Sequence, residues 1–188
     1  GCDSLGLKVI EKKVDAIVTA PISKEAIHMA GYKYPGHTEM LAKLTDAKNY
    51  AMMLESPPPP FEKGGKGGLR VVRVTTHAAI KNVSRLISRK KILNTIRLTN
   101  SSLKSWGFLN PRIGVSALNP HGGEGGIFGD EEIKIIIPAI NDAISEEIEV
   151  QGPFPADTLF TSVKRSKFDA IVVMYHDQGL IPIKMAAF

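Results

Sequence analysis

Crosslinking has almost nothing to work with in this sequence: its 188 residues include one cysteine, Cys2, so no intrachain disulfide can form. A reducing, cytoplasmic setting is therefore the expectation. No stretch approaches the roughly 18 consecutive apolar residues a membrane-spanning helix needs, which argues against a membrane role. Aromatic residues make up only 6% of the chain, with a single tryptophan, and they are not interleaved with the basic residues. Stacking on single-stranded nucleic acid is thus poorly supported. The opening Gly1-Cys2-Asp3-Ser4 has neither an initiator methionine nor the basic-then-apolar profile of a signal peptide, and reads as a chain whose beginning is missing. What is present, 43% hydrophobic and 23% charged residues, is the composition of an ordinary soluble globular domain.

The net charge of +5 comes from one block. Residues 61–112 carry 12 Lys and Arg against 1 Asp or Glu, whereas residues 113–188 carry 5 against 11. Much of the block falls on a predicted helix over residues 82–98 whose other face is Val83, Leu86, Ile87, Leu93 and Ile96. It reads as a solvated helix face. Neither a zinc-finger nor an RNA-binding signature accompanies it, so no nucleic-acid partner is expected.

Short Val- and Ile-rich runs alternate with helical spacing. Strands are predicted at residues 14–20, 50–54, 70–76, 113–118 and 168–174, with helices at 23–30, 37–44, 82–98, 131–144 and 156–163. Strands separated by helices imply crossovers and hence a mostly parallel sheet, because parallel neighbours cannot be joined by a tight turn. The class is α/β. Ser56-Pro57-Pro58-Pro59-Pro60 followed by Gly64-Gly65-Lys66-Gly67-Gly68 suits neither a helix nor a strand, and marks a surface excursion over 56–68. No internal repeat and no linker between domains stands out.

Three of the five histidines follow predicted strands: His77 after Val74-Thr75-Thr76, His121 in Asn119-Pro120-His121-Gly122-Gly123-Glu124, and His176 in Tyr175-His176-Asp177-Gln178-Gly179. Carboxyl ends of parallel strands form the ligand crevice of an open sheet, which would gather these loops at one edge. Three imidazoles with exchangeable positions suit a catalytic metal, although histidines are also common in polar loops and no compact zinc signature is present. The glycine-rich stretch 122–129 lacks the Gly-Lys-Ser/Thr of a P-loop and does not follow the first strand as a dinucleotide fingerprint would. Asp157 either caps a helix or faces the crevice. Lys184 is either a surface residue or an anion contact.

The motifs Thr19-Ala20-Pro21-Ile22-Ser23-Lys24-Glu25-Ala26, Tyr34-Pro35-Gly36-His37-Thr38-Glu39, Leu118-Asn119-Pro120-His121-Gly122-Gly123-Glu124, Gly152-Pro153-Phe154-Pro155-Ala156-Asp157-Thr158 and Tyr175-His176-Asp177-Gln178-Gly179-Leu180-Ile181-Pro182-Ile183-Lys184 resemble the 4-hydroxythreonine-4-phosphate dehydrogenase family of pyridoxal 5'-phosphate biosynthesis. Val74-Thr75-Thr76-His77 and Phe128-Gly129-Asp130-Glu131-Glu132 extend the resemblance over essentially the whole chain. Two features depart from the family pattern: Gly122 stands where alanine is usual, and the 56–68 excursion replaces a short turn.

The resemblance implies an α/β/α sandwich like isocitrate and isopropylmalate dehydrogenases, with these residues forming the central portion of a longer two-domain subunit. It implies NAD- or NADP-dependent oxidation of 4-(phosphooxy)-L-threonine, whose β-keto acid product decarboxylates to 3-amino-2-oxopropyl phosphate. It further implies a homodimer sharing one divalent ion per site, zinc, magnesium or cobalt, held by His77, His121 and His176 with one of them from the partner subunit. His37 and Thr38 correspond to substrate contacts, Lys184 to a substrate or phosphate contact, and Asp157 and Asp177 to acidic residues near the substrate. Related substrates, 4-phospho-D-threonate or 4-phospho-D-erythronate, and a non-catalytic metal-binding fragment are the alternatives.

Overall fold

The computed structural model describes residues 11, 13, 14, 16–19, 21, 23–34, 36–56, 68–161 and 165–187. The chain divides into two compact units, residues 1–50 and 51–188. In the first, α1 (Lys24–Met29) starts at Ser23, whose hydroxyl accepts the Ala26 N–H at 3.3 Å, and α2 (His37–Leu44) starts after Gly36 and buries Met40 and Ala42. The predicted strand at 14–20 is not formed among the described residues. Val18 stands 98% exposed and the run finds no ladder partner there. β-propensity without a neighbouring strand does not make one.

The second unit is built on a five-stranded sheet: β1 (Met53–Glu55), β2 (Arg70–Arg73), β3 (Ile113–Ser116), β4 (Val150–Phe154) and β5 (Ala170–Val173), in the spatial order β1-β2-β5-β3-β4. Only the β1–β2 pair is antiparallel. Helices α3 (Val83–Leu86), α4 (Arg89–Ser105), α5 (Ile137–Ser145), α6 (Ala156–Leu159) and α7 (His176–Ala187) complete the unit.

Two apolar clusters show that the sheet is covered on both faces, an α/β/α sandwich. Val72, Val115, Val172 and Met174 pack with Ile92 and Ile96 of α4 and Ala139, Ile140 and Ala143 of α5. Their strand neighbours Val71, Ile171 and Val173 point the other way, to Leu159 of α6 and Ile183 of α7. Double burial explains why β5 reads as the unbroken apolar run Ala170-Ile171-Val172-Val173 and why every residue of β2 and β3 is buried. Each fully buried isoleucine, such as Ile92, Ile96 or Ile113, contributes about 1.5–3 kcal/mol.

Several boundaries depart from expectation. The helix predicted over 82–98 is interrupted at Ile87-Ser88, where Ser88 is extended (φ −152°, ψ 155°) and its hydroxyl accepts the Lys91 N–H at 3.3 Å to cap α4. The 131–144 helix begins as a wide π-helical turn, Glu132–Ile136, before α5 starts with Pro138 in its first turn. Proline there lacks the N–H that a continuous α-helix would bond to Lys134. Strand β4 and helix α7 are additional to the predicted elements. The helix predicted at 156–163 forms over Ala156–Leu159, and 162–164 lie outside the described residues.

The excursion at 56–68 lies outside the described residues over 57–67. Its first residue belongs to the fold: Ser56 is buried, its N–H donates to the Leu69 carbonyl at 2.9 Å, and its hydroxyl accepts the Leu69 N–H at 3.0 Å.

Most of the basic block forms the solvated face expected, with Lys81, Arg85, Arg89, Lys90, Lys91 and Arg97 exposed, but two of its arginines go inside. Arg70 and Arg73 are buried on β2; Arg70 pairs with Glu55 and lies over the Phe108 ring. Burial pushes the Arg73 pKa down. On the helical layer, Arg89 pairs with Asp142 and Arg97 with Glu146, tying α4 to α5.

Candidate functional site

The three histidine-bearing loops leave the carboxyl ends of three strands that are neighbours in the sheet, β2, β5 and β3. Beyond the regular β2–β5 ladder, the Val74 N–H donates to Val173 O at 2.9 Å and the Thr75 N–H to Met174 O at 3.1 Å. The buried Thr75 hydroxyl also donates to Met174 O, at 2.7 Å. Two residues further along each strand come His77 and His176, whose ring centroids lie 5.5 Å apart. His77 is exposed, whereas the His176 side chain, at the first position of α7, retains 34% exposure. The two line a cleft of about 480 Å³ with Ala78, Ala79, Ile80, Val83, Tyr175 and Asp177.

His176 Nδ1 lies 2.7 Å from Asp177 Oδ1. A proton on Nδ1 donated to that carboxylate leaves the lone pair on Nε2, the form in which an imidazole binds metal. His121 has the same kind of partner, with Nδ1 3.2 Å from Glu124 Oε2, and its ring meets Phe128 edge-on at 6.0 Å. It does not line the His77–His176 cleft. Among the described residues, no group of three or more His, Cys, Asp or Glu is placed to hold a metal ion. The chain thus brings two of the three predicted ligands together.

The loop carrying His121 has an unusual backbone. Residues 121–125 all adopt positive φ: 54° at His121, 70° at Gly122, 78° at Gly123, 43° at Glu124 and 67° at Gly125. Glycines make most of this left-handed turn inexpensive, while His121 and Glu124 each cost roughly 1–3 kcal/mol. Glu132 anchors the segment that leads into the turn and packs against Gly123 within it. Its buried carboxylate accepts the backbone N–H groups of Leu118 and Asn119, both at 2.8 Å, and the Asn119 side-chain amide at 2.9 Å. Gly123 packs so closely beneath the loop that a Cβ there would stand 2.7 Å from Glu132 Oε2 and 2.9 Å from Gly129 O.

The other candidates are dispersed. Asp157 is exposed in the first turn of α6. Lys184 is exposed on α7; eight residues of helix place it about 12 Å along the axis from His176. Half-buried His37 and Thr38 open α2 in the first unit. Sequence patterns also passed over three buried polar residues that shape this edge: Thr75, Glu132 and Gln178. By sequence alone, an acidic pair such as Glu131-Glu132 at a helix start suits the positive end of the helix dipole. The glycine loop just before it was the available signal that a carboxylate was needed there to hold backbone N–H groups.

Comparison with known proteins decides the family. Residues 7–188 match the model of the pyridoxal phosphate biosynthetic protein PdxA. The chain belongs to the PdxA family. A 4-hydroxythreonine-4-phosphate dehydrogenase of Geobacter metallireducens is 50% identical to this PdxA chain over 179 residues, covering 95% of it and 50% of the relative. A D-threonate 4-phosphate dehydrogenase of Salmonella typhimurium is 44% identical over 175 residues, covering 93% and 50%. The crystal structure of a 4-hydroxythreonine-4-phosphate dehydrogenase from Klebsiella pneumoniae superposes with a TM-score of 0.88 at 40% identity, covering 99% of the PdxA chain and 54% of that one. The chain therefore spans about half the length of the relatives it matches. Among its described residues, no helix is long and apolar enough to cross a membrane.

Proposed function

We propose that this chain forms the metal-bearing sheet edge of a nicotinamide-dependent dehydrogenase that oxidises the C3 hydroxyl of 4-(phosphooxy)-L-threonine. The observation that carries this reading is the His77–His176 pair, 5.5 Å apart at the ends of adjacent parallel strands in a PdxA-family chain. Bound NAD or NADP would supply the hydride acceptor, and the β-keto acid product would lose carbon dioxide to give 3-amino-2-oxopropyl phosphate.

The imidazole donors suit zinc or cobalt better than magnesium, which prefers oxygen ligands. His77 and His176 would hold the divalent ion with His121 as third ligand, one of the three arriving from the partner subunit of a homodimer. Bound there, the ion would act as a Lewis acid on the substrate's oxygens. The protein's own groups do the rest. Asp177 and Glu124 orient the rings of His176 and His121 through Nδ1. Engaged in this way, Asp177 is an orienting carboxylate, which leaves Asp157 as the freer candidate for proton transfer. The family resemblance assigns substrate contacts to His37 and Thr38 and a phosphate contact to the Lys184 ammonium. Ala78, Ala79, Ile80 and Val83 form the apolar side of the cleft.

The D-threonate 4-phosphate relative supports a second reading, the same oxidation on 4-phospho-D-threonate. Reduction of NAD and NADP by the full-length protein, with 4-(phosphooxy)-L-threonine, 4-phospho-D-threonate and 4-phospho-D-erythronate in turn, separates the substrates. Absence of turnover on all three, with metal supplied, refutes the dehydrogenase reading.

A further inference from the structure

Strands β3 and β5 run side by side through Ile113↔Ala170, Gly114↔Ile171 and Val115↔Val172, and then part company. The Ala117 N–H turns away to Phe154 O of β4 at 2.7 Å, while Met174 stays with β2 through Thr75. The parting occurs in the interior, since Ala117 is 1% and Met174 0% exposed. It would leave the Met174 N–H without a partner and the Ala117 carbonyl with only the Ser116 hydroxyl at 2.9 Å.

Gln178, in the first turn of α7, fills that gap. Its Oε1 accepts the Met174 N–H at 2.8 Å, its Nε2 donates to Ala117 O at 2.6 Å, and the residue is buried. One planar amide thereby joins the end of the strand leading to His176 with the end of the strand leading to His121. Through Met174 O and Thr75, the link continues to the strand leading to His77.

We propose that Gln178 is a positioning residue that fixes the strand end and helix start carrying His176 beside the strand end carrying His77, and through them the metal affinity of the site. The proposal rests on the metal reading above. The position requires an acceptor and a donor at once: ionised glutamate cannot donate to Ala117, leucine satisfies neither group, and asparagine is a methylene short. Partners lying behind metal ligands typically change affinity by about 10–100 fold when removed.

The test uses the full-length protein stripped of metal and titrated with cobalt(II) alone, following its visible absorption, together with the melting temperature of the metal-free form. Gln178→Leu and Gln178→Glu should each bind cobalt about 10–100 fold more weakly, with an altered absorption envelope. Gln178→Glu keeps the Met174 bond, and it decides the matter if the leucine variant fails to fold. A purely structural role would lower the melting temperature while leaving cobalt affinity and absorption at wild-type values, and that outcome overturns the proposal. His176→Ala is the control. If it loses cobalt while both folded Gln178 variants bind normally, the strut idea alone falls; if His176→Ala binds like wild type, the metal reading and this proposal fall together.

Discussion

Removing the carboxylate of Glu132 should release the His121 loop, and the size of the effect can be worked from its contacts. Three hydrogen bonds converge on it, from Leu118 N–H, Asn119 N–H and the Asn119 side-chain amide, at 2.8 to 2.9 Å. Bonds to a charged acceptor are worth about 1.5–3 kcal/mol each. Summing them overstates the loss, because burying a carboxylate costs several kcal/mol that the substitution returns. Glu132→Ala should therefore destabilise by about 2–4 kcal/mol net. In a chain of this size each kcal/mol moves the melting temperature by roughly 2–4 °C, so a fall of about 4–16 °C is expected.

Glu132→Gln sharpens the test. Its carbonyl oxygen can still accept both backbone N–H groups, but its NH₂ would face the Asn119 amide, which is itself held by Glu131 Oε2 at 2.7 Å. A cost of about 1–2 kcal/mol follows, smaller than for alanine. Thermal or urea unfolding measures both variants, and hydrogen exchange at the Leu118 and Asn119 amides reports the loop itself. Alanine costing less than about 0.5 kcal/mol, with unchanged exchange at those two amides, would refute the argument that Glu132 anchors the segment leading into the left-handed turn.

Gly179 lets α7 approach the sheet: a Cβ there would lie 2.7 Å from Val71 Cγ1 and 3.0 Å from Val173 Cγ2. Gly179→Ala should cost about 1–3 kcal/mol by overpacking, measured by urea unfolding, and a neutral result would mean that the helix shifts freely. Acid should weaken the α4–α5 contact. Hydrogen bonding to Arg89 holds the Asp142 carboxyl below its ordinary pKa, and Arg97 does the same for Glu146. With folded pKa values depressed, this stabilisation is fully present above the unfolded values near 4 and is lost as pH falls through the folded ones. Arg89→Ala should flatten the acid limb of a stability-versus-pH curve, and 1 M salt should do so in part, since the pair is solvent-exposed. An unchanged limb rejects the pair's contribution. Lys184→Ala should lower kcat/KM for the phosphorylated substrate by about 10–150 fold if one charge-assisted contact is lost, with melting behaviour unchanged; unaltered kinetics would make it a surface lysine.

The layered sheet was legible because its central strands are buried on both faces, leaving apolar runs at Val71-Val72, Ile113 to Val115 and Ala170 to Val173 that no helix period explains. What escaped was set by tertiary contact. Strand β4 contains Gln151, Gly152 and Pro153, residues with poor β-propensity, and it is a strand because β3 pairs with it at the sheet edge, where proline is tolerated. Helix α7 carries Gly179 and Pro182, which argue locally against a helix, yet the same glycine permits its close seat on the sheet. Ser88 shows the reverse case: its capping chemistry was present in the sequence, but an unbroken hydrophobic period concealed it.

The site divides along the same line. Histidines after strand ends could be read as a group because a parallel sheet presents all its carboxyl ends on one side. The groups that hold them could not, since the need for Gln178 exists only where β3 and β5 separate, and the need for Glu132 only where β3 gives way to the turn at 121–126, whose six residues all have positive φ. The edge thus has two tiers. A buried tier of Thr75, Gln178 and Glu132 is fully engaged with backbone. An outer tier of His77, His121 and His176 retains exposed ring surface for a ligand. Substitutions in the outer tier remove donors without orphaning buried backbone groups, so they should impair metal binding while sparing stability. Those in the buried tier should cost both, because positioning and folding there depend on the same hydrogen bonds.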